Sequence, residues 1–184
     1  MKIKFSREVQ TIAEYAREEA MRTGWYGITP DHLMLAILRH GDNEACRALT
    51  ALGVSLSSLK AHIDSCIFRE EPVPFNDLDK VEMSRAARGV MNMSAFEALR
   101  SGLEEVLTAH LLTAISRTGG NATADFFLTS GISPAGLTDY FGVQSRLDEG
   151  SALSAPRLED IAGALGEQLN NLLGAAHNQT NIFS

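Results

Sequence analysis

The sequence predicts an all-α fold built from two tandem, pseudo-symmetric four-helix repeats and a C-terminal tail helix, and three observations carry that prediction. A block around residue 32 returns around residue 110, apolar residues recur at three- and four-residue spacing, and hydroxyl residues and glycines mark the starts and stops of those segments.

The repeat is read first because it organises the rest. Asp31-His32-Leu33-Met34-Leu35-Ala36-Ile37-Leu38-Arg39 matches Ala109-His110-Leu111-Leu112-Thr113-Ala114-Ile115-Ser116-Arg117, 78 positions further on. Without a gap, the same offset pairs Ser6-Arg7 with Ser84-Arg85, Arg22 with Arg100, Gly24 with Gly102, Gly53 with Gly131 and Leu59 with Leu137. Chance does not hold register that long. The division that follows is a first copy over 1–67, a linker over 68–82, a second copy over 83–142, and a polar linker with an amphipathic tail helix over 143–184.

In the first copy, Ser6 is placed to cap a helix whose apolar face is Val9, Ile12, Ala13, Ala16 and Ala20, with a stop near Gly24. Thr29 and Pro30 open a second helix that is apolar nearly all round from Leu33 to Leu38, so Leu33 and Ile37 are expected at the centre of the core. A third helix spans about Asp42 to Leu52 and ends at Gly53; Ser55 caps a fourth carrying Leu56, Leu59, Ile63 and Ile67. Glu70-Glu71-Pro72-Val73-Pro74 then breaks the helix. The second copy follows the same plan from Ser84 to Phe141, with Leu111 and Ile115 in the core, Thr108 as the cap of its buried helix and Ser133-Pro134 opening its last. Pro156 begins the tail helix, whose stripe is Leu158, Ile161, Leu165, Leu169, Leu172 and Leu173.

Composition narrows the function classes. The chain has 184 residues, 45% hydrophobic and 21% charged, which is ordinary globular usage. A formal charge of −7 with lysines and arginines scattered singly argues against a nucleic-acid partner. The apolar runs are too short to span a bilayer and no signal-type stretch follows Met1, so no membrane association and a cytoplasmic location are expected. Cys46 and Cys66 have no ligand spacing; they read as small core residues, with no metal and no cofactor expected.

The repeat resembles the double Clp N-terminal domain that precedes the ATPase rings of bacterial Clp unfoldases, most strongly the ClpC branch. Phe5-Ser6-Arg7 and, more loosely, Met83-Ser84-Arg85 are similar to the family's helix start, Thr29-Pro30-Asp31-His32-Leu33-Met34 to its Gly-Thr-Glu-His-Leu-Leu turn, and Leu52-Gly53-Val54 to its repeat stop. Arg157 to Leu165 resembles the lead-in to the first ATPase ring, and no phosphate loop follows in this sequence. The expectation is therefore an excised N-domain or a stand-alone relative without a motor. The resemblance implies a protein-binding module that docks adaptor or substrate proteins, with Clp ATPase subunits as further partners. The alternatives are a stand-alone regulator of other Clp N-domains and a small-molecule-binding helical protein.

No catalytic residues are expected. His32 and His110 each sit one step inside a capped apolar helix, where an imidazole satisfies local backbone groups, and the adjacent Glu104 and Glu105 cannot work together on one helix face. The resemblance further implies that Ser6 and Ser84 at helix starts would hold the phosphate of a phosphorylated arginine and Asp31 its guanidinium. Ser6 and Asp31 would form one weak first-repeat site, whereas Ala109 leaves Ser84 without an acid. Trp25 and Tyr26 are the candidate partner-contact aromatics.

Overall fold

Each copy opens at a serine whose side chain replaces a missing helical acceptor. In the computed structural model, which describes residues 2–148, 163 and 165–172, Ser6 Oγ accepts from the Val9 amide at 3.2 Å and Ser84 Oγ from that of Ala87 at 3.1 Å. These caps start α1 (Arg7–Arg22) and α5 (Arg85–Arg100). The first copy continues with α2 (Pro30–His40), α3 (Glu44–Ala51) and α4 (Leu56–Ile67), the second with α6 (Thr108–Ser116), α7 (Ala122–Thr129) and α8 (Pro134–Asp148). All-α is thus the fold class. Among the described residues, four two-residue strands and a 3₁₀ segment at Phe75–Lys80 in the linker are the non-α additions.

Those strands knit the copies together. β1 (Lys4–Phe5) pairs in parallel with β4 (Glu105–Val106), and β2 (Gly27–Ile28) with β3 (Glu82–Met83). The start of each copy is thereby bonded to the loop before the buried helix of the other. Leu33, Ile37, Leu111 and Ile115 are all fully buried in one core that takes residues from both copies. Gly24 turns the chain after α1 at φ +82, where a Cβ would come within 2.5 Å of the Glu71 carbonyl oxygen, so the turn requires glycine twice over.

Four expectations need correction. Thr108 is the first helical residue of α6 rather than its cap; Leu107 holds the cap position, as the repeat register with Thr29 and Pro30 demands. The Thr108 hydroxyl is buried and has no hydrogen-bond partner among the described residues. The cap of α3 is Asn43, whose side chain accepts from the Cys46 amide at 2.9 Å, so that helix begins two residues later than Asp42. α8 runs through Gly142 to Asp148, because an interior glycine costs only about 1 kcal/mol and no proline follows to stop it. Cys46 is a core residue, but Cys66 is exposed.

Of the tail, 165–172 are helical, and Leu165, Leu169 and Leu172 pack partly buried against the core. Pro156, Leu158, Ile161 and Leu173 lie outside the described residues.

Candidate docking cavities at the repeat junction

Asp31 occupies the second position of α2, yet its side chain serves the other copy. Its Oδ1 accepts from the Thr123 amide at 2.8 Å and the Thr123 hydroxyl at 2.6 Å, and its Oδ2 from the Ala122 amide at 3.1 Å. A buried carboxylate thus closes the amino end of α7, where free N–H groups and the helix dipole favour negative charge.

Beside it opens a cavity of about 530 Å3 between the copies. Trp25, Thr29 and Asp31 line it from the first copy, Cys66 from the end of α4, and Ser84 and Asn121 from the second copy. The pairing of Ser6 with Asp31 expected from the sequence therefore does not hold. Ser84 shares the Asp31 cavity, because β2 and β3 draw the start of α5 alongside the start of α2, with the Ser84 amide bonded to the Ile28 carbonyl at 2.9 Å. Ser6 is instead buried against the second copy, its amide bonded to the Val106 carbonyl at 3.0 Å. Hydroxyl and acid meet crosswise between copies.

The pseudo-symmetric counterpart is a cavity of about 510 Å3 whose lining includes Leu103, Leu107, Ala109, Gln144, Glu44 and Arg100. By the repeat register Leu103 replaces Trp25, Leu107 replaces Thr29 and Ala109 replaces Asp31. It has no acid in the Asp31 position, and its charged lining comes instead from Glu44, Glu97 and Arg100.

Trp25 is partly buried: its Nε1 donates to the Ile67 carbonyl at 2.7 Å and the Arg69 guanidinium lies 3.7 Å from its ring centre. Tyr26 is exposed and its hydroxyl bonds Asp77 at 2.7 Å. Trp25 thus forms cavity wall, while Tyr26 belongs to the linker surface. Both repeat histidines are buried, and both hold their own helix starts. His32 Nδ1 accepts from the Thr29 amide at 2.9 Å, which leaves the proton on Nε2, 2.9 Å from the Thr23 hydroxyl; His110 Nδ1 accepts from the Leu107 amide at 2.9 Å. Burial, with the Arg22 and Arg69 charges, pulls His32 down to about 4. Burial pulls His110 down to about 4 against the opposing pull of Glu97. Neutral imidazoles of this kind are structural pins.

A feature missed in the sequence is a buried carboxylate repeated at Glu19 and Glu97. Glu19 takes Arg22 at 2.7 Å and Arg39 at 3.6 Å; Glu97 takes Arg100 at 2.8 Å and Arg117 at 2.9 Å. The 78-residue offset pairs all three members, so the signal was present. The matched arginines, Arg22 with Arg100 and Arg39 with Arg117, stand on different helices, and only the fold brings each pair to one carboxylate. The clamps tie α1 to the end of α2 and α5 to the end of α6. Among the described residues no three His, Cys, Asp or Glu side chains gather to hold a metal, and no helix is long and apolar enough to cross a membrane.

Comparison with known proteins agrees with this architecture. The model of the Clp repeat (R) N-terminal domain matches residues 4–129, and the chain belongs to that family. It is 28% identical over 130 residues to the negative regulator of genetic competence ClpC/MecB of Bacillus subtilis, a match covering 71% of this chain and 16% of that protein. It is 25% identical over 170 residues to the chaperone ClpB of Oceanobacillus iheyensis, covering 86% of this chain and 20% of that one. The chain thus spans a fifth or less of the length of these relatives. The N-terminal domain of the Clp protease-associated chaperone ClpD of Arabidopsis thaliana superposes with a TM-score of 0.58 at 12% identity, covering 78% of this chain and 97% of that one. A chain from preliminary structural investigations of a malarial protein secretion system superposes with a TM-score of 0.66 at 15% identity, covering 77% and 94%.

Proposed function

We propose that this chain is a non-enzymatic recognition module that docks adaptor or substrate proteins for a Clp machine, and that the Asp31 and Ser84 cavity is its docking site. The observation carrying the reading is that cavity: it is open, walled by an aromatic ring and lined with polar groups from both copies. Membership of the Clp repeat family, and similarity to the chaperone ClpB and to an ATP-binding subunit of the ATP-dependent Clp protease, support it. Ala86, exposed on the cavity rim, allows a direct test. Ala86→Trp should fill the mouth without removing any buried group, and weaken binding of a carboxymethylated unfolded protein at least tenfold in a fluorescence titration. Unchanged affinity would remove the cavity from the docking surface. A pull-down that returned Clp ATPase subunits in place of adaptors would instead favour the stand-alone regulator.

Phosphorylated arginine is the finer reading, and the crosswise geometry changes where it is sought. The phosphate would meet Ser84 at the start of α5, while Asp31, already holding three donors, has little capacity left for a guanidinium. A weak single site follows. Titration with free phosphoarginine should shift the amides around Ser84 and Asp31 in NMR spectra, and shifts confined to Ser6 would reject the assignment.

A further inference from the structure

A third cavity, sharing no lining residue with the two at the repeat junction, lies between α1 and the 165–172 helix and holds about 260 Å3. Its apolar lining includes Phe5, Ile28, Met83 and Leu172. Into it faces Arg17, on average only 9% exposed. Among the described residues no carboxylate lies within 4.0 Å of that guanidinium and no acceptor is hydrogen-bonded to it, and burial alone pulls it below the ordinary arginine range. Four other polar residues share the lining and none is hydrogen-bonded to Arg17: Gln10 donates its amide to the Phe5 carbonyl at 2.8 Å, Glu14 is exposed to water, and Gln168 and Asn171 stand on the 165–172 helix. Nor does the fold demand a cation here, since the repeat register puts Ala95 at the same place in α5.

An arginine side chain this far buried, with no charge partner among the described residues, is costly, and its five fixed donors beside an apolar surface are complementary to a planar anion carried on an apolar body. We infer that this cavity binds a carboxylate attached to an apolar, residue-sized group, with Arg17 as the charge partner. The volume suits one apolar side chain and its carboxylate. That chemistry is offered both by a small-molecule carboxylate and by the C-terminal residue of a peptide.

The test uses the full chain and four probes followed by NMR: N-acetyl-leucine, its amide, a short peptide ending in leucine with a free carboxylate, and that peptide amidated. At least one acid should bind about tenfold or more tightly than its amide, the range of a charge-assisted hydrogen bond, and should shift Ala13, Arg17, Ile28 and Met83. Saturation by the peptide alone would identify C-termini as the ligand; saturation by N-acetyl-leucine would identify free carboxylates. Arg17→Gln should abolish the acid preference and Arg17→Lys should keep part of it. If the Gln variant does not fold, the acid and amide comparison in the parent still decides. Equal affinity for acid and amide, or no saturable millimolar binding of either acid, would overturn the inference.

Discussion

At the scale of single residues, Asp31 joins two positions that sequence reading keeps apart. An acid in the first turn of α2 looks like a local dipole partner or a ligand contact, but its three donors are 91 and 92 residues away. No pattern within either helix announces that bond. Asp31→Ala leaves two amides and a hydroxyl of α7 without their buried acceptor, so a loss of about 2–4 kcal/mol is expected in urea unfolding. A variant as stable as the parent would show that the cap does not form. The histidines were legible by contrast, because an imidazole three positions after the cap residue bonds a backbone amide on its own turn. Their pH dependence has a definite sign. Both stay neutral in the fold down to about 4, whereas in the unfolded chain they protonate near 6.5. Below about pH 6.5 the unfolded state therefore binds more protons, and stability falls toward pH 4 by up to about 1.4 kcal/mol per pH unit per histidine. Melting temperature should drop across that window, and a chain with both histidines replaced by glutamine should show a flatter profile there.

At the scale of elements, boundaries were readable wherever the chemistry that sets them is local. Ser6, Ser55 and Ser84 cap the helices they precede, and Gly24 and Gly53 turn the chain with positive φ where the sequence places stops. The second copy misled where it departs from the first. Thr108 has the residue type of a cap but the register of Pro30, and the position before it is a leucine whose amide is satisfied by His110 instead. The two-residue strands were invisible because a segment that short has no period, and their partners lie far along the chain. Thr108→Val follows from this. The exchange keeps the shape and deletes a buried hydroxyl that has no partner among the described residues, so the variant should match the parent or gain about 1 kcal/mol. A loss of 2 kcal/mol or more would mean that the hydroxyl is bonded.

At the scale of the whole molecule, the internal repeat suggests two units, whereas the contacts describe one. Each copy lends its opening strand to the other, Asp31 of the first closes a helix of the second, and the buried apolar side chains form one cluster across both. The cavity at the repeat junction has the same logic, since Ser84 and Asp31 come from different copies and share a wall only when both are folded. Neither copy keeps its interface satisfied alone: freeing one exposes the apolar junction and strips the acceptor from α7. Unfolding should therefore be a single cooperative transition despite the repeat. Leu33→Ala in the first copy and Leu111→Ala in the second, each truncating a fully buried side chain at the centre of its helix, should cost about 2–5 kcal/mol. Each should move the whole urea curve, with far-UV circular dichroism and Trp25 fluorescence remaining coincident. Trp25 belongs to the first copy, so the Leu111 variant is the decisive one: its cavity lies in the second copy, yet the tryptophan signal should shift as far as the helical signal. Two separated transitions, with Trp25 reporting the parent midpoint while part of the helix melts early, would show that the copies fold independently and that the junction forms only afterwards.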